Sequence, residues 1–524
     1  MDVRAGGPAS CPGAWRPFPE TRERSGVMGR TQRGVGLGPL VLGIELLLGV
    51  VAPTPAQESW DAVYMAGAKV GHIHTYVQPV TDRGRDLVRV RVDMMLSFKR
   101  LNDRVRIEMR YGTIETPDGS VLRLDTRTLA SDQELRTFGD VINNKMTLTL
   151  EGSGQRQQST ISWGPEVRGP YAAEQSLSRQ PMKPGESRSL RMFVPELSKI
   201  CDVTLTAKAF EEVQLGAGVK RSLLRVENVV MLDGKPRPEY DSTLWVDSGG
   251  QVLKSQSDVL GGMVTFRTTR EAATAPDGEF KLNLILASII KVTHKIPRPE
   301  ATRDIVYHLS LKGDDPSKLV PADRRQALRP GPDPNTSILE VKAVGAADGT
   351  SEPGQVDEQF LRPNSLVTSE DPIVRSLADK AVGDAVDPWE KAVKIEHWVA
   401  QNLKDKNFKT AFAPASEVAR NLSGDCTEHG VLVAAMCRAA GVPARVAVGL
   451  VYADHLGGFG FHLWNEVYVN QRWVAIDAAF DQSTVDAVHI KLGDTSLDGV
   501  SPYEAFLPVV RVLGKMTLEP LEIR

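Results

Sequence analysis

Between residues 57 and 275 apolar and polar side chains alternate with a period near two. The clearest runs are LVRVRVDMMLSFKR (87–100) and RVRIEMRYGTIE (104–115). Alternation of this kind predicts half-buried strands. Turn signals punctuate the runs at Pro117-Asp118-Gly119, Asp233-Gly234 and Gly249-Gly250, and helical periodicity is scarce. Many strands on short turns predict a large antiparallel sheet that curves into a sandwich or an open barrel. Residues 276–365 read as a β-containing linker region. LNLILASIIKVTHKI, TRDIVYHLSLK and ILEVKAV are candidate strands there, and RPGPDPNTS and GAADGTSEPGQVDE read as exposed linkers.

From residue 366 to 490 the pattern changes. Asp371-Pro372 and Asp387-Pro388 each place an N-capping carboxylate before a proline at the first helical position. In the second helix Ala392, Ile395, Val399 and Leu403 share one face. A third helix runs from Cys426 to Ala440 and is ended by Gly441 and Pro443. Strands follow at 445–453, 462–470 and 472–479. Helices followed by antiparallel strands make this an α+β domain, and residues 491–524 are expected to pack on it as a C-terminal extension. The expected fold is therefore α+β, with an N-terminal antiparallel β domain ahead of a mixed domain.

Length and composition add limits. A chain of 524 residues exceeds what one core organises, so two or three domains are expected. A formal net charge of -3 with no block of like charge gives no reason to expect a nucleic-acid partner. Residues 1–56 read as an extension outside the fold. After Met28 come Arg30 and Arg33, the apolar run VGLGPLVLGIELLLGVVA (35–52), and APTPAQ. That order predicts a secretory signal peptide, or a membrane anchor if uncleaved, and so a periplasmic or extracellular protein.

Four cysteines, Cys11, Cys201, Cys426 and Cys437, form no disulfide framework and no pair has zinc-ligand spacing. No metal or cofactor is expected. Cys426 follows Ser423-Gly424-Asp425 at the start of its helix. Unpaired N–H groups and the positive end of the helix dipole favour thiolate there and can donate to an oxyanion. Cys437 lies eleven residues on among apolar neighbours and reads as core, about 16 Å away at the helical rise. Asn470-Gln471 reads as a two-residue hairpin turn. It pairs Val469 with Arg472 and sets His462 and Asp477 as diagonal neighbours on one face. A carboxylate so placed orients an imidazole base. Glu466 and Asp481 are further candidates for that orienting role. His429, Phe461 and Trp464 are candidates for lining a substrate cleft, with ordinary packing the alternative. His72 and His74 alternate on a strand without an evident metal partner.

GDCTEHGVLVAAMCRAAGVPARVAVGLVY followed by HLWNEVYVNQRWVAID resembles the core of the transglutaminase-like superfamily over roughly residues 370–490. The motifs that carry the resemblance are Gly-Asp-Cys at a helix start, Gly-x-Pro-Ala-Arg after it, a His-x-Trp-Asn-Glu-Val strand and a Trp-x-x-x-Asp strand. The resemblance implies a papain-like fold with Cys426 as nucleophile, His462 as base and Asp477 as orienting acid. It implies a thioester formed from an amide of a protein or peptide substrate, then resolved by an amine or by water. A peptidase of protein or cell-wall peptides and an inactive binding protein are the alternatives. The region before the core loosely resembles β-rich extensions of exported bacterial proteins. No EF-hand-like calcium loop is evident in the catalytic segment.

Overall fold

The alternating runs of the N-terminal half pair almost entirely as antiparallel strands in one sixteen-stranded sheet. The computed structural model describes residues 56–524 except 101, 131–132, 153–154, 196, 216–217, 259–261, 277–280, 349–355, 405–412, 499–504 and 506. Cys11 and the apolar run 35–52 lie outside the described residues. Among the described residues no helix is long and apolar enough to cross a membrane.

From Gln57–Met65 the chain meanders outward, strand beside strand, to Gln155–Ser162 at one edge of the sheet. It then crosses to Val167–Arg168 at the opposite edge and steps back to Met263–Thr268, which pairs with Gln57–Met65. The predicted strands at 87–100 and 104–115 are Arg85–Arg100 and Asp103–Glu115, paired from Val88↔Glu115 to Arg100↔Asp103. Asp233 and Gly234 both take positive φ, 51° and 72°, the conformation that two-residue hairpins need. Val121, Leu124, Met146 and Leu148 of the outward path share a core with Trp163, at the start of the crossing, and with Val167 and Phe193 of the far edge. Distant strands can meet in this way only because the sheet twists and curls on itself. A cavity of about 260 Å³ inside the curl is lined from both halves, by Val92 and Tyr111 and by Met192 and Val252.

Two smaller sheets follow. One orders Gln326–Pro330, Thr336–Lys342, Asp304–Leu311 and Met516–Ile523, so the end of the chain completes a sheet begun two hundred residues earlier. The other orders Ile290–Lys291, Gly458–Val469, Ala444–Ala453 and His489–Thr495, with Arg472–Ile476 also on Gly458–Val469. The expected strand in LNLILASIIKVTHKI is a correction. Asn283 accepts from the Leu286 N–H as an N-cap and turns Leu284–Ser288 into a short helix, leaving only Ile290–Lys291 to pair. Helices Pro372–Val382 and Pro388–Asn402 begin where the Asp-Pro pairs indicate, with Asp371 and Asp387 as caps. A further helix, Ala415–Asn421, precedes the cysteine; its seven residues are too few for a periodic signal to stand out.

Helix Cys426–Ala439 is buried from Thr427 through Arg438. A helix apolar on nearly all sides is a central element, and its packing on the strand Gly458–Val469 fixes the start of the helix against the sheet. Gly430 permits the close approach: a Cβ there would meet Leu463 Cδ2 at 2.1 Å.

Candidate active site

The beginning of helix Cys426–Ala439 is held by a reciprocal cap. Asp425 accepts from the Thr427 N–H at 2.8 Å and Glu428 accepts from the Asp425 N–H at 3.0 Å. Such a box satisfies two of the helix's orphan donors. Gly424, at φ 145°, leaves the space that the Glu428 side chain fills, since a Cβ would lie 2.4 Å from it. The next residue, Cys426, is half-buried. Its Sγ accepts from the backbone N–H of Leu463, the residue after His462.

The turn at Asn470-Gln471 has both φ positive, 51° and 59°, and Val469 pairs with Arg472 through to Asn465 with Ile476. In that register His462 and Asp477 meet: His462 Nε2 donates to Asp477 Oδ2 at 2.6 Å, both side chains buried. Asp477 Oδ1 accepts from the Ala479 N–H at 2.8 Å. With Nε2 committed, Nδ1 is the ring nitrogen that keeps a lone pair.

A second imidazole stands behind the carboxylate. His489 Nε2 reaches Asp477 Oδ2 at 3.1 Å and its Nδ1 reaches Asp486 Oδ1 at 2.7 Å. Carboxylates only accept, so both ring nitrogens donate and His489 is an imidazolium. Burial opposes that charge, but the two carboxylates win and raise His489 above its ordinary value. Burial likewise opposes ionisation of Asp477, yet His462 and His489 hold it well below the usual carboxylate range. Asp486 is itself fixed by Gln482 Nε2 at 2.8 Å and by the Val488 N–H at 3.1 Å. His462, Asp477 and His489 each bring a ligand-capable atom within 4.8 Å of the others. Separations of 2.6 and 3.1 Å are hydrogen bonds; tetrahedral metal ligands stand roughly 3.4 Å apart at zinc bond lengths.

The resting thiol departs from the expectation that its helix position favours thiolate. Burial, Asp425 and Glu428 push Cys426 well above its ordinary value, while the Leu463 N–H and the Arg100 guanidinium act the other way. Desolvation and two adjacent carboxylates outweigh the dipole. Cys437 is fully buried and pushed up to about 12 by burial, as a core thiol should be.

Of the candidate lining residues, His429 is buried at 2% exposure, its Nδ1 donating to the Asp425 carbonyl at 2.7 Å. Trp464 is buried, and Phe461 packs half-buried on the core. Phe480 is the aromatic that faces solvent beside the base, 51% exposed and edge-on to His462 at 5.0 Å. Glu466 does not bond His462 but a pair of cations. It accepts from Lys491 at 2.8 Å and from Arg445 at 2.7 Å. Asp481 pairs with His397 at 2.7 Å near the surface. His74 stacks on Trp60 and contacts Glu58 at 2.9 Å, and His72 tilts against the same Trp60 ring. Sequence reasoning missed His489, Asp486 and Phe480. An Asp-x-x-His spacing at 486–489 was the available signal.

Comparison with known proteins places these residues in context. Residues 375–478 match the model of the transglutaminase-like superfamily. An uncharacterized protein of Haemophilus influenzae is 32% identical over 124 residues, which is 22% of this chain and 33% of that protein. The chain thus spans about a third of the length of the curated relative it matches. Among solved structures, a candidate cysteine protease of Cytophaga hutchinsonii overlaps 42% of this chain and 87% of its own at 16% identity and a TM-score of 0.26. A β-barrel-like protein of Brucella abortus, with a domain of unknown function, overlaps 42% of this chain and 98% of its own at 12% identity and a TM-score of 0.30. Overlaps this loose carry no functional information. Residues 375–478 are thus similar to the transglutaminase-like superfamily, a match that covers about a fifth of the chain.

Proposed function

We propose that the protein is an acyltransferase or hydrolase of amide bonds in protein or peptide substrates, working through Cys426, His462 and Asp477. The observation that carries this reading is the buried 2.6 Å bond from His462 Nε2 to Asp477, made one residue from the N–H that binds the Cys426 sulfur. It leaves His462 Nδ1 as the base.

In the acylation step Nδ1 takes the thiol proton and the sulfur attacks the amide carbonyl carbon. The oxyanion so formed is stabilised by N–H groups at the helix start, the Cys426 N–H among them. As the C–N bond breaks, His462 returns the proton to the departing nitrogen, leaving a thioester on Cys426. An amine or water then attacks, gives its proton to His462, and releases the thiol. Amine transfer gives cross-linking and water gives deamidation or proteolysis. Burial and the adjacent carboxylates push the thiol up, which favours proton transfer to His462 in concert with the attack. The basic start and apolar run of residues 30–52 support a substrate met outside the cytoplasm.

The test is incubation of the full chain with a glutamine-bearing protein plus a fluorescent primary amine, beside an amine-free hydrolysis assay read by mass spectrometry. Wild type should give product in one of the two, and Cys426→Ala and His462→Ala in neither. Equal product from wild type and Cys426→Ala would sink the reading.

A further inference from the structure

We infer that Arg100, supplied by the curled β sheet, is a positioning residue of the thiol site: its pairing with the free oxygen of Asp425 orients that carboxylate and offsets the negative charge standing against the thiolate. The inference rests on Cys426 being the nucleophile.

Arg100 is the last residue of strand Arg85–Arg100, at the tip of the hairpin that returns through Asp103. The tip is anchored. The Lys99 N–H donates to the Leu282 carbonyl at 2.8 Å, and Phe98 is buried in a cluster that contains Leu282. The segment after Leu282 leads through Leu284–Ser288 to Ile290–Lys291, which pairs with Phe459 and Gly458 on the strand that carries His462. One short run of chain thus ties the hairpin tip to the sheet bearing the base. From there Arg100 reaches Asp425 Oδ2 at 2.9 Å, with side-chain exposures of 17% and 3%.

The two oxygens of Asp425 divide the work. Oδ1 caps the helix by accepting from the Thr427 N–H and hydroxyl at 2.8 and 2.7 Å. Oδ2 takes the guanidinium. Arg100 is therefore not needed to form the cap, and what it adds is charge and orientation. The groups acting on the sulfur are Asp425 and Glu428 from its own helix, the Leu463 N–H from the facing strand, and Arg100 from the β sheet. His429, on the same helix, bonds the Asp425 carbonyl, and His462 adjoins Leu463. Among the described residues Asp425 and Glu428 stand against the thiolate and Arg100 opposes them, from more than three hundred residues away in sequence. A buried carboxylate without its cation disfavours any second negative charge nearby.

The test uses the full chain and reads the thiol equilibrium itself. The rate of Cys426 alkylation by iodoacetamide is followed from pH 5 to 10, with peptide mapping to separate it from the other cysteines, in wild type, Arg100→Gln, Arg100→Lys, Asp425→Asn and the Gln/Asn double variant. Arg100→Gln should shift the midpoint upward, leaving about tenfold less thiolate at a given pH below it. Arg100→Lys should recover most of the loss. The double variant should return near wild type, since Asn caps a helix without a charge. Should Arg100→Gln not fold, Asp425→Asn alone must show a midpoint below wild type. A thermal midpoint that falls while the alkylation midpoint stays put would make Arg100 merely structural and overturn the inference, as would a double variant that behaves like Arg100→Gln. Wild-type protein that turns over no amide would instead sink the proposed function and leave the Arg100 result standing.

Discussion

The β-rich sheet and the transglutaminase-like core handle charge in opposite ways. In the sheet many ion pairs lie at the surface: Arg123 and Asp140 meet at 2.6 Å with exposures of 36% and 49%, and Arg191 and Glu166 at 3.0 Å with 53% and 49%, while Arg267 and Asp61 pair inside the curl at 19% and 11%. The exposed pairs contribute little to stability. In the core, Lys491 is 4% exposed and contacts Glu466, Asp494 and Asp323, while His489 and Asp477 are each 1% exposed. Charges removed from water persist only as connected sets, because each lost member leaves a partner unpaired. A region that could have packed with leucines and valines instead buries two connected sets of ions, one around Lys491 and Glu466 and one joining His462, Asp477 and His489. The contrast teaches where the molecule spends structure on chemistry and where only on solubility and shape.

Substitutions can break this contrast, and the effects should fall in a clear order. Cys426→Ala should abolish acyl transfer, whereas Cys437→Ala, in the same helix, should retain it; a product assay on both decides whether one thiol alone matters. Asp477→Asn should lower turnover by about 10³- to 10⁴-fold by misorienting His462, with circular dichroism unchanged, and a loss below tenfold would remove Asp477 from the mechanism. Lys491→Met should destabilise the fold by up to about 3 kcal/mol, since Glu466 loses one of its two cations and keeps Arg445, measured by urea denaturation at pH 7. Next comes pH. His489 has a folded value raised above 6.5, so its ion pairs contribute fully below 6.5 and are lost as pH rises through the folded value. The stability gap between wild type and His489→Gln should therefore be widest near pH 6 and narrow toward pH 9; a gap that widens would mean the second imidazole is neutral. Smallest of all, Arg123→Ala in the sheet should shift stability by at most about 1 kcal/mol and leave turnover untouched.

Much of this arrangement could be read along the chain because its signals are local. Asp371, Asp387 and Asp425 act as caps within three residues of themselves, and the positive φ at Asn470 and Gln471 sets the register that brings His462 to Asp477. What escaped reading depends on partners far apart. His489 reaches Asp477 because its strand lies against Ala444–Ala453, with Val451 opposite His489, and no local pattern announces that pairing. Arg100 looks like any charged strand end until the sheet curls. The short helix at Leu284–Ser288 was misread because its apolar run fits either period, and Asn283 decided the matter. The upward push on the thiol escaped for a related reason: the dipole belongs to the helix alone, but desolvation belongs to everything packed around it.

The order of strands in the large sheet has a consequence for how the chain acquires its structure. Gln57–Met65 lies between the outward meander and the returning one, and Trp60 is opposite Thr268. Its second neighbour therefore does not exist until some two hundred further residues have been made. Each strand of the outward meander can zip onto its predecessor as a hairpin, yet one side of this central strand stays an open edge until the last strand arrives. Closing so long a loop is slow, and an open edge invites pairing with another chain in the meantime. The slowest and most aggregation-exposed moment in the life of this protein should accordingly be the seating of Met263–Thr268, a step remote from the thiol but one on which the placement of Arg100 beside it depends.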